Sequence, residues 1–511
     1  MAIGSTGVIL VSTAFCGIIA LFLYHLGRLR LYIKAAKFPG PRTLPVIGHA
    51  HYFIGSPYDV LDKLMELMNK YSSPLRLWMG HLLFIVVSDP VQVKIVLDSP
   101  HTIDKENMYK FVRPWLGTGL VTARATKWRV HRKLIAPTFN TRILGTFVET
   151  FARQSTIMTG QMEKELEAGE FNVHHYVTRC VLDIVCETTM GVKMNSQGKH
   201  SSYAEAMAGA TETISRRIFQ FWLHPDLIFN LTKTGRDQRE YVKHLHGVTN
   251  DVIRMKKNSY DETRVANDSE DERPATRKAF LDLLLEISED DTKLTDAEVR
   301  EEVDTVMSAG VHTSAALITF TAVMLANYPE LQERAYQELC DIYGDRVSSE
   351  TAVKREDLKR MEYLERVIKE TLRLFPIVPA ISREITEDLN IGEYTLPKGG
   401  IVVISILKLH RSEKYWPDPL KFDPDRFLPE EVAKRNPLCY VPFSAGPRNC
   451  IGMNYAMMSI KVILATVLRR YVLKRDTILD IKDIKLKADI LQPTKAMTIR
   501  VSERINENVE K

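Results

Sequence analysis

Phe443-Ser444-Ala445-Gly446-Pro447-Arg448-Asn449-Cys450-Ile451-Gly452 sets one cysteine between glycines, beside an arginine and just ahead of an apolar run. A thiolate stays deprotonated only where positive charge or backbone N–H groups surround it, and flanking glycines let the backbone turn such donors toward sulfur. The stretch therefore reads as a loop that presents a thiolate to a metal, with Arg448 placed to hold an anionic group of a cofactor. An isolated cysteine is more often a small buried hydrophobe, so the reading depends on what stands elsewhere in the chain.

Four other patterns precede the loop: Trp128-x-x-x-Arg132, Ala309-Gly310-x-x-Thr313-Ser314, Glu370-x-x-Arg373 and Pro424-Asp425-Arg426-Phe427. Each is weak alone. In this order and at these distances, from Pro39-Gly40-Pro41 to about Val501, the chain resembles the cytochrome P450 superfamily. The resemblance implies a mainly α fold, a large helical domain with small β-sheets, holding haem b (iron protoporphyrin IX) between a long distal helix and the cysteine loop. Cys450 would be the axial ligand of the iron, and thiolate ligation favours O–O cleavage. Trp128, Arg132, Arg448 and Arg383 would bind the haem propionates, with Phe443 and Gly446 shaping the loop beneath the ring.

On the distal helix, Gly310 and Thr313 are three apart and share one face, where the glycine would admit a diatomic ligand and the hydroxyl would hydrogen-bond its outer oxygen. Two departures from the family's pattern stand here. His312 replaces the acid that most members carry before the threonine; histidine titrates near pH 6.5 and can still relay a proton. Glu301-Glu302-Val303-Asp304-Thr305-Val306-Met307 and Pro114-Trp115-Leu116-Gly117-Thr118-Gly119-Leu120 resemble the family 4 branch, rich in fatty-acid ω-hydroxylases. Many mammalian members of that branch place at Ala309 a glutamate that esterifies the haem; alanine cannot, so the haem is expected to be extractable. Glu370, Arg373 and Arg426 are expected to form a structural ion network.

The activity implied is an O₂-dependent monooxygenase, hydroxylating or epoxidising small lipophilic substrates such as fatty acids, hormones, odorants or toxicants. Electrons would come from NADPH through the flavoprotein NADPH-cytochrome P450 reductase, with cytochrome b5 as a second donor. Lys127, Arg129 and Lys133 read either as the footprint of an acidic redox partner or as a solvated face. A haem-thiolate peroxide isomerase or dehydratase needs no reductase and tolerates the loss of the acid before Thr313. A non-enzymatic haem protein that senses a lipid or gas is the remaining alternative.

These residues need a large scaffold, and 511 residues with 45% hydrophobic and 26% charged side chains can supply one. No Gly/Ser/Pro-rich linker divides the chain. A net charge of +5 is too small and dispersed to argue for nucleic acid. Six scattered cysteines match neither a disulfide framework nor a zinc site and suit a reducing compartment. Residues 1–26 carry no Lys, Arg, Asp or Glu, long enough for a helix to cross a bilayer, and Arg28, Arg30, Lys34 and Lys37 follow. Expected from this are a membrane anchor over 1–27, a basic and Pro-rich connector over 28–45, and a catalytic domain over 46–511 facing the cytosol from the endoplasmic reticulum. Two sequons, Asn230-Leu231-Thr232 and Asn267-Asp268-Ser269, should then carry no glycan.

Helical spacing dominates from Pro57 onward, with β-branched runs at Leu83–Val87, Ile401–Ile406 and Met497–Val501 reading as strands. The charged stretch from Asp261 to Lys278 reads as a solvated loop. Thr295-Asp296-Ala297-Glu298 has capping-box spacing, and the helix it opens can run to Pro329, about 45 Å at 1.5 Å per residue. Apolar stretches at 102–118, 205–234 and 377–381 are the expected substrate lining.

Overall fold

A computed structural model describes residues 26–55, 57–105, 107–198, 202–266, 279–288, 294–344, 347, 351–487 and 497–504, with isolated positions between 7 and 24. The site is carried by helices α1 (Arg113–Leu116), α2 (Ala125–Ile135), α3 (Val148–Met162), α4 (His174–Val185), α5 (Ser202–Phe219), α6 (Lys233–Ala266), α7 (Asp296–Asn327), α8 (Glu362–Leu374) and α9 (Met453–Arg470). The strands that matter are β1 (Leu75–Met79), β2 (Leu82–Val87), β3 (Phe171–Asn172), β4 (Ala380–Glu384), β5 (Ile401–Ser405), β6 (Tyr471–Lys474) and β7 (Thr498–Glu503).

The fold is mainly α, as expected, and the three β-branched runs are β2, β5 and β7. One sheet has the order β1-β2-β5-β4, with β2 and β5 parallel through Phe84↔Ile401 to Val87↔Ile404 and the other pairs antiparallel. A second sheet, β3-β7-β6, joins the start of α4 to the chain end. Alternate residues of β2 are buried in a cluster with Val402, Ile404 and Leu97, which fixes register because a one-residue slip would expose them.

α7 starts where its sequence says: Thr295 Oγ1 accepts from Glu298 N, and the Glu298 carboxylate accepts from Thr295 N. Both first-turn donors are thereby satisfied. The helix is apolar and long enough to cross a membrane, but it is buried among other helices as the central rod of the core. It packs on α3's neighbour α4, on α6 and α9, and on β6.

One expectation is corrected. The charged stretch from Asp261 continues α6 as far as Ala266 rather than opening a loop there, because charge alone does not end a helix that is already propagating. The remainder of that stretch, with the sequon at 267–269, and most of 1–25 lie outside the described residues.

Candidate functional site

The Cys450 loop is built by two residues in the left-handed region, Ser444 (φ 60°) and Gly446 (φ 69°). A Cβ at Gly446 would lie 2.4 Å from Leu97 O, so glycine is required there both for conformation and for the close approach of the preceding segment. Cys450 N donates to Phe443 O at 2.9 Å, closing the loop. Cys450 is exposed on the loop, yet the surrounding protein desolvates its sulfur. Burial pushes the Cys450 thiol up, opposed by the Gly452 N–H and by Arg132; a metal cation is what would hold it as thiolate.

Around this loop the structure gathers the cations read from the sequence. Arg132 donates to Asn449 O at 3.1 Å and to Asn449 Oδ1 at 2.9 Å. Arg448 donates to Ile103 O at 2.9 Å and Ala123 O at 2.7 Å, with its guanidinium 4.9 Å from the Trp128 ring centroid. Arg383 is buried on β4 and donates to Ser382 O. Burial lowers the pKa of all three, and Arg383 helps pull Arg448 down to about 10. Among the described residues none of the three is in an ion pair. Arg383 is buried and Arg132 and Arg448 half-buried, and cations held this way without ion-pair partners are costly, a chemistry that fits the two carboxylates of a haem.

Below the loop, Arg373 uses all five of its N–H donors. Nε and Nη2 each donate to the Glu370 carboxylate at 2.7 Å, Nη1 reaches His410 O and Pro419 O, and Nη2 also reaches Lys421 O. Glu370 also accepts from Asp423 N, and Arg426 Nε lies 3.6 Å from it. His410, which the sequence did not single out, completes the tie. Its Nε2 accepts from Val441 N at 2.9 Å, and Nδ1 faces Leu372 O at 3.3 Å. Burial and Arg373 lower it to about 3, so it is a neutral strut between α8 and the loop.

Between positions 302 and 327 of α7, only Val306, Ala309, Gly310 and Thr313 escape full burial. Spacings of three and four place them in one stripe, an accessible face on an otherwise buried rod. Thr313 Oγ1 donates to Ala309 O at 2.7 Å, which leaves its lone pairs free to accept. A Cβ at Gly310 would come 3.3 Å from Val185 of α4, so the glycine also permits close helix packing.

His312 does not join that stripe. Its ring is buried, with Nε2 3.1 Å from Thr211 Oγ1 on α5 and the Trp115 indole edge-on at 6.5 Å. Burial lowers it to about 4, so it is neutral at physiological pH and is not a standing acid. Successive helical residues diverge by about 100°, which is why the neighbour of an exposed threonine is turned inward. Lys127 also departs from the outward position expected of it. It is drawn onto Glu298 (3.0 Å), Glu301 (3.2 Å) and Thr118 (2.7 Å), while Arg124, Arg129 and Lys133 stay exposed. Beside it, His131 pairs with buried Glu302 at 2.7 Å and Glu302 accepts from Leu120 N, pinning the Pro114–Leu120 segment to α7.

The family model described as Cytochrome P450 matches residues 38–501. Cytochrome P450 4c21 of Blattella germanica is 40% identical over 476 residues, covering 92% of this chain and 93% of its own. Cytochrome P450 4c3 of Drosophila melanogaster is 36% identical with 95% and 93% covered, and Cytochrome P450 4V2 of Homo sapiens 38% identical with 91% and 89% covered. Agreement on this scale with family 4 relatives carries the monooxygenase class and the haem with it, and this chain is a member of the cytochrome P450 family.

Proposed function

We propose that this enzyme hydroxylates or epoxidises a small lipophilic substrate, with fatty acids, hormones, odorants and toxicants as the candidate classes, using electrons passed from NADPH by a flavoprotein reductase. The balance is R–H + O₂ + 2 e⁻ + 2 H⁺ giving R–OH + H₂O. The observation that carries the reading is the pairing of a desolvated thiol, Cys450, with an accessible Val306/Ala309/Gly310/Thr313 stripe on α7. Haem bound through Cys450 supplies the dioxygen chemistry. Arg132, Arg383 and Arg448 would neutralise its propionates, with Trp128 packed against Arg448. Gly446 holds the loop's turn, and Phe443 anchors Cys450 N. Thr313 Oγ1, which donates to Ala309 O, has lone pairs that would accept a hydrogen bond and hold a proton at the stripe. Because Ala309 offers no carboxylate, the haem is held without an ester and acid-solvent extraction should release it completely.

Exposed Arg124, Arg129 and Lys133 on α2, the helix whose inner side reaches Asn449, support docking of an acidic redox partner, the reductase or cytochrome b5. Residues 1–27 serve as a membrane anchor, 28–45 as connector and 46–511 as the catalytic domain on the cytosolic side of the endoplasmic reticulum. Exposed Phe221, Trp222, Leu227, Ile228 and Leu231 support a second contact with the bilayer. A peroxide isomerase is the competing reading, favoured by the inward, neutral His312. Mass spectrometry of products decides between them. Hydroxylated products that require NADPH and reductase establish the monooxygenase, whereas rearranged products from lipid hydroperoxides without reductase overturn it.

A further inference from the structure

α7 carries a second, hidden polar face. Asp304 lies two turns before His312 and is fully buried. Its Oδ1 accepts from Thr249 Oγ1 of α6 at 2.7 Å, while Oδ2 has no hydrogen-bond partner among the described residues. His246 of α6 brings Nε2 to 3.5 Å from that Oδ2 and to 2.8 Å from the Trp115 carbonyl. The Trp115 indole reaches the other way, edge-on to His312, and its Nε1 is buried and unpartnered. Tyr203 OH of α5, close enough to Asp304 to feel its charge, is also buried and unpartnered. Orphaned polar atoms packed this closely are what ordered internal water satisfies, each molecule making two to four hydrogen bonds. On its outer side His246 lines an open cleft of about 600 Å³ with Pro114, Gln238, Lys243 and Asn250.

We propose that Asp304 is a proton-carrying residue that acts through His312, refilled from the cleft by His246, and that it takes the place of the acid missing before Thr313. A proton enters at His246, moves to Asp304 Oδ2, and passes by internal water held on the orphaned Trp115 Nε1 and Tyr203 OH to one ring nitrogen of His312. The proton on Nε2, 3.1 Å from Thr211 Oγ1, is handed on through that hydroxyl and internal water toward the Thr313 stripe, since the ring itself faces away from it. Every group ends in the protonation state in which it began, and no imidazolium accumulates on His312. Burial raises Asp304 to about 7, against the pull of Thr249 and Arg300 and with Glu301 adding to the rise, so the carboxyl can both hold and give a proton near neutrality. Burial keeps His246 below its ordinary value.

The proposal rests on the reductase-driven reading, so its test has one arm that does not. In the intact haem-loaded protein, infrared spectra in H₂O and D₂O should show a buried carboxylic-acid band that titrates through neutrality, shifts in His246→Gln and is lost in Asp304→Asn. In turnover, Asp304→Asn should keep the haem-thiolate spectrum and substrate affinity but lower reductase-driven product formation by about tenfold and raise the solvent deuterium isotope effect. Turnover driven by hydrogen peroxide, which brings its own protons, should change less than about twofold, and Asp304→Glu should restore most of the loss. Loss of both activities together with an unchanged isotope effect would make Asp304 merely structural and overturn the proposal, as would a band that survives Asp304→Asn. Should wild-type protein form no product with reductase, the functional reading fails, and the infrared arm still decides whether Asp304 carries the exchangeable proton.

Discussion

The two sides of the site are held in opposite ways. Under the cysteine loop, Arg373 and Glu370 saturate one another and the surrounding carbonyls and His410 is locked neutral between Leu372 O and Val441 N, with Arg426 Nε and Trp416 Nε1 the buried donors beside them that lack a hydrogen-bond partner among the described residues. Along the inner face of α7, buried Asp304 Oδ2, Thr305 Oγ1, Trp115 Nε1 and Tyr203 OH lack protein partners. A saturated network has one arrangement and is stiff; an unsaturated one has several of similar energy. The loop proposed to fix a metal ligand is built the first way, and the face proposed to move protons the second.

The sharpest way to break this contrast is Cys450→Ser. With the loop's frame intact, it should fold yet lose the carbon monoxide-reduced thiolate band entirely; a surviving band would place the ligand elsewhere. Next in size is Arg373→Lys, which leaves several buried acceptors unpaired. It should cost about 3–5 kcal/mol, read as a lower urea midpoint and a loss of haem-loaded protein. A normal yield would mean that the loop is not held by saturation. On the other side, Thr313→Ala touches no network and should leave the urea midpoint within about 0.5 kcal/mol of wild type. It should nonetheless reduce the fraction of NADPH oxidation that ends in product by about tenfold. A large stability loss instead would show the hydroxyl's bond to Ala309 O to be its real role.

The smallest effect concerns acid. His174, His312 and His410 are lowered to about 4, 4 and 3, so each takes up a proton on unfolding as pH falls below about 6.5, and stability drops. Asp304, raised to about 7, works the other way, since between about pH 7 and 4 the folded state binds the extra proton. The balance of these four groups is about two protons, a loss of about 2.7 kcal/mol per pH unit near pH 5. Asp304→Asn removes the opposing term and should raise that slope by about half in urea titrations across pH. An unchanged slope would mean that Asp304 is ionised in the folded protein.

The frame was legible where the signal is local. The capping box of Thr295 and Glu298, the β-branched strands and the glycine-flanked cysteine all act through near neighbours, and each forms the element expected of it. Direction was not legible. Spacing says that His312 and Thr313 diverge, but which of them turns inward is decided by Thr211 and Trp115, about 100 and 200 residues away in sequence. The same holds for Lys127, recruited by Glu298 and Glu301, and for His410, whose partners Leu372 and Val441 come from two other elements. The orphaned atoms around Asp304 exist only once α1, α5, α6 and α7 have met.

The trio Arg132, Arg383 and Arg448 has a consequence for the life of the protein in a cell. Three enclosed like charges make the haem-free chain the weaker form, so cofactor loading is also a folding step, and each tenfold rise in free haem above its dissociation constant adds about 1.4 kcal/mol. Newly made chains that miss their haem are then the ones quality control removes, and the cell's haem supply sets how much of this enzyme accumulates.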